Sequence, residues 1–178
     1  MNAPPKPPSA KHWFEEHIGE VELHLAAPTL KQLFVEAGLG LADLLSDQRR
    51  RPDGAPESVE VEAADGDALL VDWLNELIFR TETRLRVYDE IRINSLSDRR
   101  LRADIRGAAP DGWRTAVKAA TFHRLEIARE GAGYTGRVVL DVYEPRYGKD
   151  WGEQFLDSGP VYARIDAERM FTFAMRAG

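Results

Sequence analysis

Few residues in this chain have the chemistry to hold or act on a ligand. Asp141 interrupts the apolar run Val138, Val139, Leu140 and Val142, and a carboxylate in such surroundings ordinarily has a partner or a metal ion. Glu20 stands at the start of an alternating segment, where the ordinary reading of an acid is a solvent-facing one. Lys118 carries a mobile point charge with three donors. It is suited to neutralising carboxylates, to binding a phosphate or to touching a partner, and a plain surface lysine is the competing reading. His123 lies five positions later and faces the other side of a regular strand, so the two share a site only across a bulge. Without one, His123 reads as a packing or hydrogen-bonding residue.

What is missing narrows the chemistry. The 178 residues contain no cysteine and four histidines, His12, His17, His24 and His123. Disulfides, thiolate nucleophiles and cysteine-containing zinc sites are excluded, and no histidine pair has the spacing of a helical zinc motif. A bound metal is therefore expected to be a hard cation on oxygen ligands. There is no phosphate-binding loop, nucleophile elbow or dinucleotide fingerprint, so an enzyme built on Lys118, His123 and Asp141 has no supporting motif and the chain is read as a non-enzyme. The formal charge of -6 opposes non-specific nucleic-acid binding, which needs a clustered positive field. Arg84, Arg86 and Arg92, with Arg100, Arg102 and Arg106 across a hairpin, would place guanidinium groups on one sheet face. That face is either solvated and interleaved with acids or a docking surface for RNA or an acidic partner.

The elements that position these residues follow from periodicity. Residues 20–25 alternate, with Val21, Leu23 and Leu25 on one side, as a half-buried strand does. After Pro28, residues Leu30, Leu33, Phe34, Ala37, Leu41, Leu44 and Leu45 recur at helical spacing. Residues 49–56 read as a loop and 57–63 as a strand. Asp67 is the expected cap of a helix over 68–79, whose apolar stripe is Leu70, Trp73, Leu74, Leu77 and Ile78. Trp73 on that stripe reads as core, and Asn75 and Glu76 lie off it. Residues 85–93 and 101–105 predict one hairpin around a turn at 94–98, and 121–127 with 137–142 a second around Gly131 and Gly133. The expectation is an α+β fold: a mainly antiparallel sheet packed with two amphipathic helices.

The proline-rich residues 1–11 cannot bury enough apolar surface to offset their ordering and read as a disordered tail. Residues 12–142 form the expected domain, and 143–178 an extension with a turn at 157–160 and a short helix at 166–176. No apolar run approaches the roughly 18 to 20 residues of a membrane span, and no secretory h-region opens the chain. The expected compartment is the cytoplasm, with no membrane partner.

Three segments together resemble the archease family. They are EHIGE at 16–20, LLVDWLNELIF at 69–79, and VKAATFH at 117–123 followed by RVVLDV at 137–142; their order and spacing match over residues 16–142. The helix with Trp73, Leu74, Asn75 and Glu76 and the strand with Lys118 and His123 are the specific parts. The resemblance implies an accessory protein that activates an RNA-splicing ligase by promoting its guanylylation and turnover, contacting RNA indirectly through that ligase. It also implies a divalent cation, calcium or manganese, held by carboxylates. Residue by residue, Lys118 and His123 fall at contact positions and the metal set maps to Glu20, Asp141 and Val142. Glu20 stands where the family has aspartate, one methylene longer, which the flexible oxygen geometry of calcium tolerates. Val142 stands where the family's chain ordinarily ends, and here it is an internal amide. The alternative is a metal-free interaction or chaperone-like module on the same fold.

Overall fold

The protein is described by a computed structural model over residues 6–143. Residues 1–5 of the expected tail, and the turn and short helix expected at 157–160 and 166–176, lie outside the described residues. In chain order the elements are β1 (Lys11–His17), β2 (Glu20–Ala27), α1 (Leu30–Leu45), β3 (Asp53–Glu62), α2 (Gly66–Arg84), β4 (Val87–Leu96), β5 (Arg100–Ala108), β6 (Val117–Glu130) and β7 (Gly133–Val142). They make an α+β fold with two antiparallel sheets, one of order β1-β2-β7-β6 and one of order β3-β5-β4. Helix α1 packs on β4 and β2, and α2 on β6 and β3, so each helix touches both sheets.

The helices form where the apolar stripe and the caps agree. Thr29 caps α1 by accepting from the Gln32 amide, and Leu33, Phe34, Ala37, Leu41 and Leu44 turn inward. Gly40 sits where a side chain would press on Leu23 and the His12 ring, so a glycine there lets the helix approach β1 and β2 closely. Trp73 is wholly buried and its indole N–H donates to the Phe34 carbonyl at 3.0 Å. That bond satisfies the one polar atom of a large core side chain and ties α2 to α1.

Several boundaries differ from the sequence expectation. The cap of α2 is Asp65, whose carboxylate accepts from the Ala68 amide at 2.8 Å, and Asp67 lies inside the first turn. The helix continues past Phe79 to Arg84 without an apolar stripe because Arg80 bonds Glu76 one turn back and Glu57 of β3. Leu85 is not a strand residue but the left-handed cap of α2, at φ 55°. Strand β3 starts at Asp53, inside the expected loop, and a register shift between Asp53 and Glu57 accommodates Pro56, which has no N–H to donate.

Strand β1 has no counterpart in the sequence reading. Its sequence KHWFEEH puts Trp13 on one face and Phe14 on the other, which erases the apolar alternation. What docks β1 is Phe14 packed against the core together with a polar anchor, the two ring nitrogens of His12, which contact Glu36 at 2.9 Å and Asp43 at 2.8 Å on α1.

Five of the six arginines pair with acids, and Arg92 stands opposite Asp104 in register. Arg84 belongs to α2 and Arg86 precedes β4, so neither lies on the hairpin face. Arg84 pairs with Glu57 and Arg86 with Asp53, while Arg100 meets Glu62, Arg102 meets Glu60 and Arg106 meets Glu90. No helix among the described residues is long and apolar enough to cross a membrane.

Candidate functional site

The outer face of the four-stranded sheet collects the candidate residues in rows set by register. His17 stands opposite Glu20, Glu20 opposite Asp141, and Asp141 opposite Ala119. In the next row Glu15 faces Glu22, Glu22 faces Val139, and Val139 faces Thr121. A third row holds Trp13, His24, Arg137 and Glu126. The β1–β2 turn that aligns the first two strands passes through Gly19 at φ 75°, a conformation that glycine adopts without strain.

Of the residues expected from sequence, Glu20, Asp141 and Lys118 are brought together. Strand β6 shifts register between Val117 and Ala119, which makes Lys118 the extra residue of a bulge, a device that re-aims a side chain. Its ammonium lies 3.5 Å from Asp141 Oδ1 and 4.8 Å from the centre of the Tyr143 ring. Val142 is buried, and its amide donates to the Gly19 carbonyl at 3.0 Å, fastening the end of β7 to the β1–β2 turn. His123 is not part of this group. It is exposed within a second irregularity of β6, between Thr121 and Glu126, where Arg124 takes φ 52°.

Asn75, set aside in the sequence reading as lying off the apolar stripe, holds this arrangement in place. Its amide donates to the Ala120 carbonyl at 3.1 Å and accepts from the Ala120 N–H at 2.8 Å. One side chain of α2 thus supplies both backbone bonds of a residue two positions beyond Lys118, next to the bulge. Trp73 orients the helix and Asn75 clamps the strand.

Residues that sequence reasoning missed extend from the row of Glu20 and Asp141 into the next two. Potential ligand atoms of Glu15, His17 and Glu22 all lie within 4.8 Å of one another. Glu22 is only 4% exposed, and Arg124 Nη1 donates to its Oε1 at 2.7 Å. That bond, first among the causes and opposed by desolvation, holds the Glu22 carboxyl below the usual glutamate range. His24 Nε2 lies 3.5 Å from both Glu15 and Glu22, is buried, and has no hydrogen-bond partner. The Trp13 ring stacks on His24 with centroids 5.3 Å apart and planes 9° apart. The signal was present as period-two spacing, Glu15 and His17 before the turn and Glu20, Glu22 and His24 after it. It required knowing that residues 11–17 form a strand.

Residues 13–142 match the sequence profile of the archease protein family. A protein named archease from Methanopyrus kandleri is 33% identical over 141 residues, covering 73% of this chain and 99% of that protein. One from Methanosarcina acetivorans is 26% identical over 140 residues, covering 74% and 96%. Among solved structures, that of a Methanobacterium thermoautotrophicum protein superposes with a TM-score of 0.57 at 26% identity, over 73% of this chain and 97% of the other. A Thermotoga maritima archease described as a possible chaperone shares the fold, with a TM-score of 0.50 at 19% identity over 79% and 99%.

Proposed function

This chain belongs to the archease family, and from that premise we propose that it is an accessory protein that activates an RNA-splicing ligase, promoting the ligase's guanylylation and turnover. The chain does not catalyse ligation. RNA is met through the ligase, and the opposed carboxylates of Glu20 and Asp141 would hold a divalent cation, calcium or manganese. The observation that carries the reading is the convergence of Glu20, Asp141 and Lys118 at one end of the sheet.

The donor set suits a hard cation in kind, since both side chains offer negative oxygens. Such an ion would supply neutralisation of two like charges that otherwise face each other. Lys118 presents an ammonium from its bulge beside them, a movable donor toward a partner's phosphate or carboxylate. A second reading is favoured by that same lysine. Its contact with Asp141 at 3.5 Å already offsets one carboxylate, as a metal-free interaction module requires.

Guanylylation of the cognate ligase, measured with GTP in the presence and absence of the full chain, is the test. Stimulation is expected from the wild type and none from Asp141→Ala with an unchanged cooperative melt. Full stimulation by the folded Asp141→Ala protein rejects the proposal. Lys118→Ala is expected to lose more stimulation than calcium affinity, because an ammonium is not a ligand. Equal losses would place Lys118 in the structural support of the site instead.

A further inference from the structure

We propose that Glu15, His17 and Glu22, joined by His24, form a second cation site adjoining Glu20 and Asp141, and that it takes a nitrogen-accepting dication of the zinc class. The site goes beyond the ligase reading and does not depend on it. Two strands and the turn between them build it. Alternation sends Glu15 and His17 of β1 and Glu22 and His24 of β2 to the same outer face, and the register sets Glu15 directly opposite Glu22.

Cross-strand like charges destabilise a sheet, so this pairing calls for a compensating positive charge. Arg124 supplies one and engages a single oxygen of Glu22. It donates to Glu22 Oε1, while Oε2 is the oxygen turned toward His24. An outer donor that fixes one oxygen and leaves the other free is how ligating carboxylates are commonly oriented. Glu15 is more than half exposed and has beside it the imidazoles of His17 at 3.8 Å and His24 at 3.5 Å.

The independent observation is His24 Nε2. Buried polar atoms almost always have a partner, yet this one is buried without a hydrogen bond and lies equally close to two carboxylates. Stacking on Trp13 fixes the ring plane, so the nitrogen is held facing the acids. A zinc-class ion makes bonds of about 2.0–2.2 Å to imidazole nitrogen and carboxylate oxygen, which sets neighbouring ligand atoms about 3–4 Å apart. The present separations, within 4.8 Å for Glu15, His17 and Glu22 and 3.5 Å from His24 to each carboxylate, leave the side chains to draw in around an ion. Two imidazoles with two carboxylates are a mixed nitrogen and oxygen set, which suits zinc, cobalt or manganese; calcium prefers six to eight oxygens.

Zinc titration calorimetry and visible absorption of added cobalt, both on the untagged full chain near neutral pH, test the assignment. Expected is one zinc-class ion per chain, with a cobalt spectrum showing nitrogen ligation that excess calcium does not remove. His17→Gln and Glu15→Gln, both at partly exposed positions and so safe for folding, should each weaken zinc about tenfold or more. Asp141→Asn should leave zinc affinity within about twofold, the loss of one ligand being the larger change. Absence of zinc and cobalt binding, wild-type affinity in His17→Gln, or an equal loss in Asp141→Asn overturns the site. Ligase stimulation by the same proteins reads the Glu20 and Asp141 proposal separately, so failure of one does not imitate failure of the other.

Discussion

The outer faces of the two sheets use the same residue types to opposite ends. On the three-stranded sheet, register sets Glu60 against Arg102 and Glu62 against Arg100, and each pair is in contact. Asp104 accepts from Asn94 and Ser58, which keeps its carboxyl below the usual range. On the four-stranded sheet, acid faces acid, Glu15 against Glu22 and Glu20 against Asp141. Opposite charges across a ladder stabilise it by a few tenths of a kcal/mol and like charges destabilise it by a similar amount. The first face pairs acids with bases across the ladder, and the second sets acids opposite one another and offsets them from the side, through Arg124 at Glu22 and Lys118 at Asp141.

If the second face is held in shape from behind rather than by its own charges, its support should be its most sensitive point. Asn75→Ala strips Ala120 of partners for both its N–H and its carbonyl, and Ala120 is buried. A loss of about 1–3 kcal/mol in urea unfolding is expected, the cost of leaving buried polar groups unbonded. Ligase stimulation should fall with it, because Lys118 stands two residues before the clamp. A loss below about 0.5 kcal/mol, the scale of an ordinary surface change, would show a face that supports itself.

The sequence made the scaffold legible where one physical signal dominated. Leu33, Phe34 and Leu41 repeat at helical spacing, and Val138 and Leu140 alternate, so α1 and β7 could be read from side chains alone. Where polar contacts decide, the pattern was silent. Strand β1 is docked in part through His12 between Glu36 and Asp43, partners 24 and 31 positions away that no local period marks. The same gap hid half of the site. Glu20 and Asp141 came from a family resemblance and proved to be register partners. Glu15 and His17 needed β1, and Arg124 needed the irregularity that turns its backbone to φ 52°. No histidine pair has helical zinc spacing, and the structure places His12, His17 and His24 on the β1–β2 hairpin.

Glu22 gives the comparison a dependence on pH. Its folded carboxyl titrates below the usual range because Arg124 bonds the ionised form. The contribution is therefore present above the ordinary glutamate range and lost as pH falls through the lower folded value. Glu22→Gln should destabilise the protein at neutral pH, and the gap to the wild type should close on acidification through that window. Glu60→Gln, at an exposed ladder position, should show a smaller gap at neutral pH, within the range of about 0–1 kcal/mol that surface pairs span. A Glu22→Gln gap that persists unchanged in acid would mean that shape, and not charge, is what Glu22 supplies.

The smallest expected effects differ in sign, which makes them the sharpest contrast between the faces. Arg102→Ala removes the favourable member of an exposed pair and should cost about 0.2–1 kcal/mol, less at high salt. Glu20→Gln, measured with chelator present, removes one of two carboxylates opposed across β2 and β7, and it should raise stability by a few tenths of a kcal/mol. Screening weakens both effects, so raising salt should bring the two variants toward the wild type from opposite sides. Urea midpoints with matched slopes resolve shifts of this size when the proteins are unfolded side by side. The sign for Glu20→Gln rests on the opposed Asp141 outweighing His17 across β1 and the Arg124 guanidinium, with the Lys118 ammonium engaged by Asp141 at 3.5 Å. If Glu20→Gln instead loses as much as Arg102→Ala, Lys118 serves both acids, the face is already compensated, and nothing about the opposed carboxylates calls for an ion.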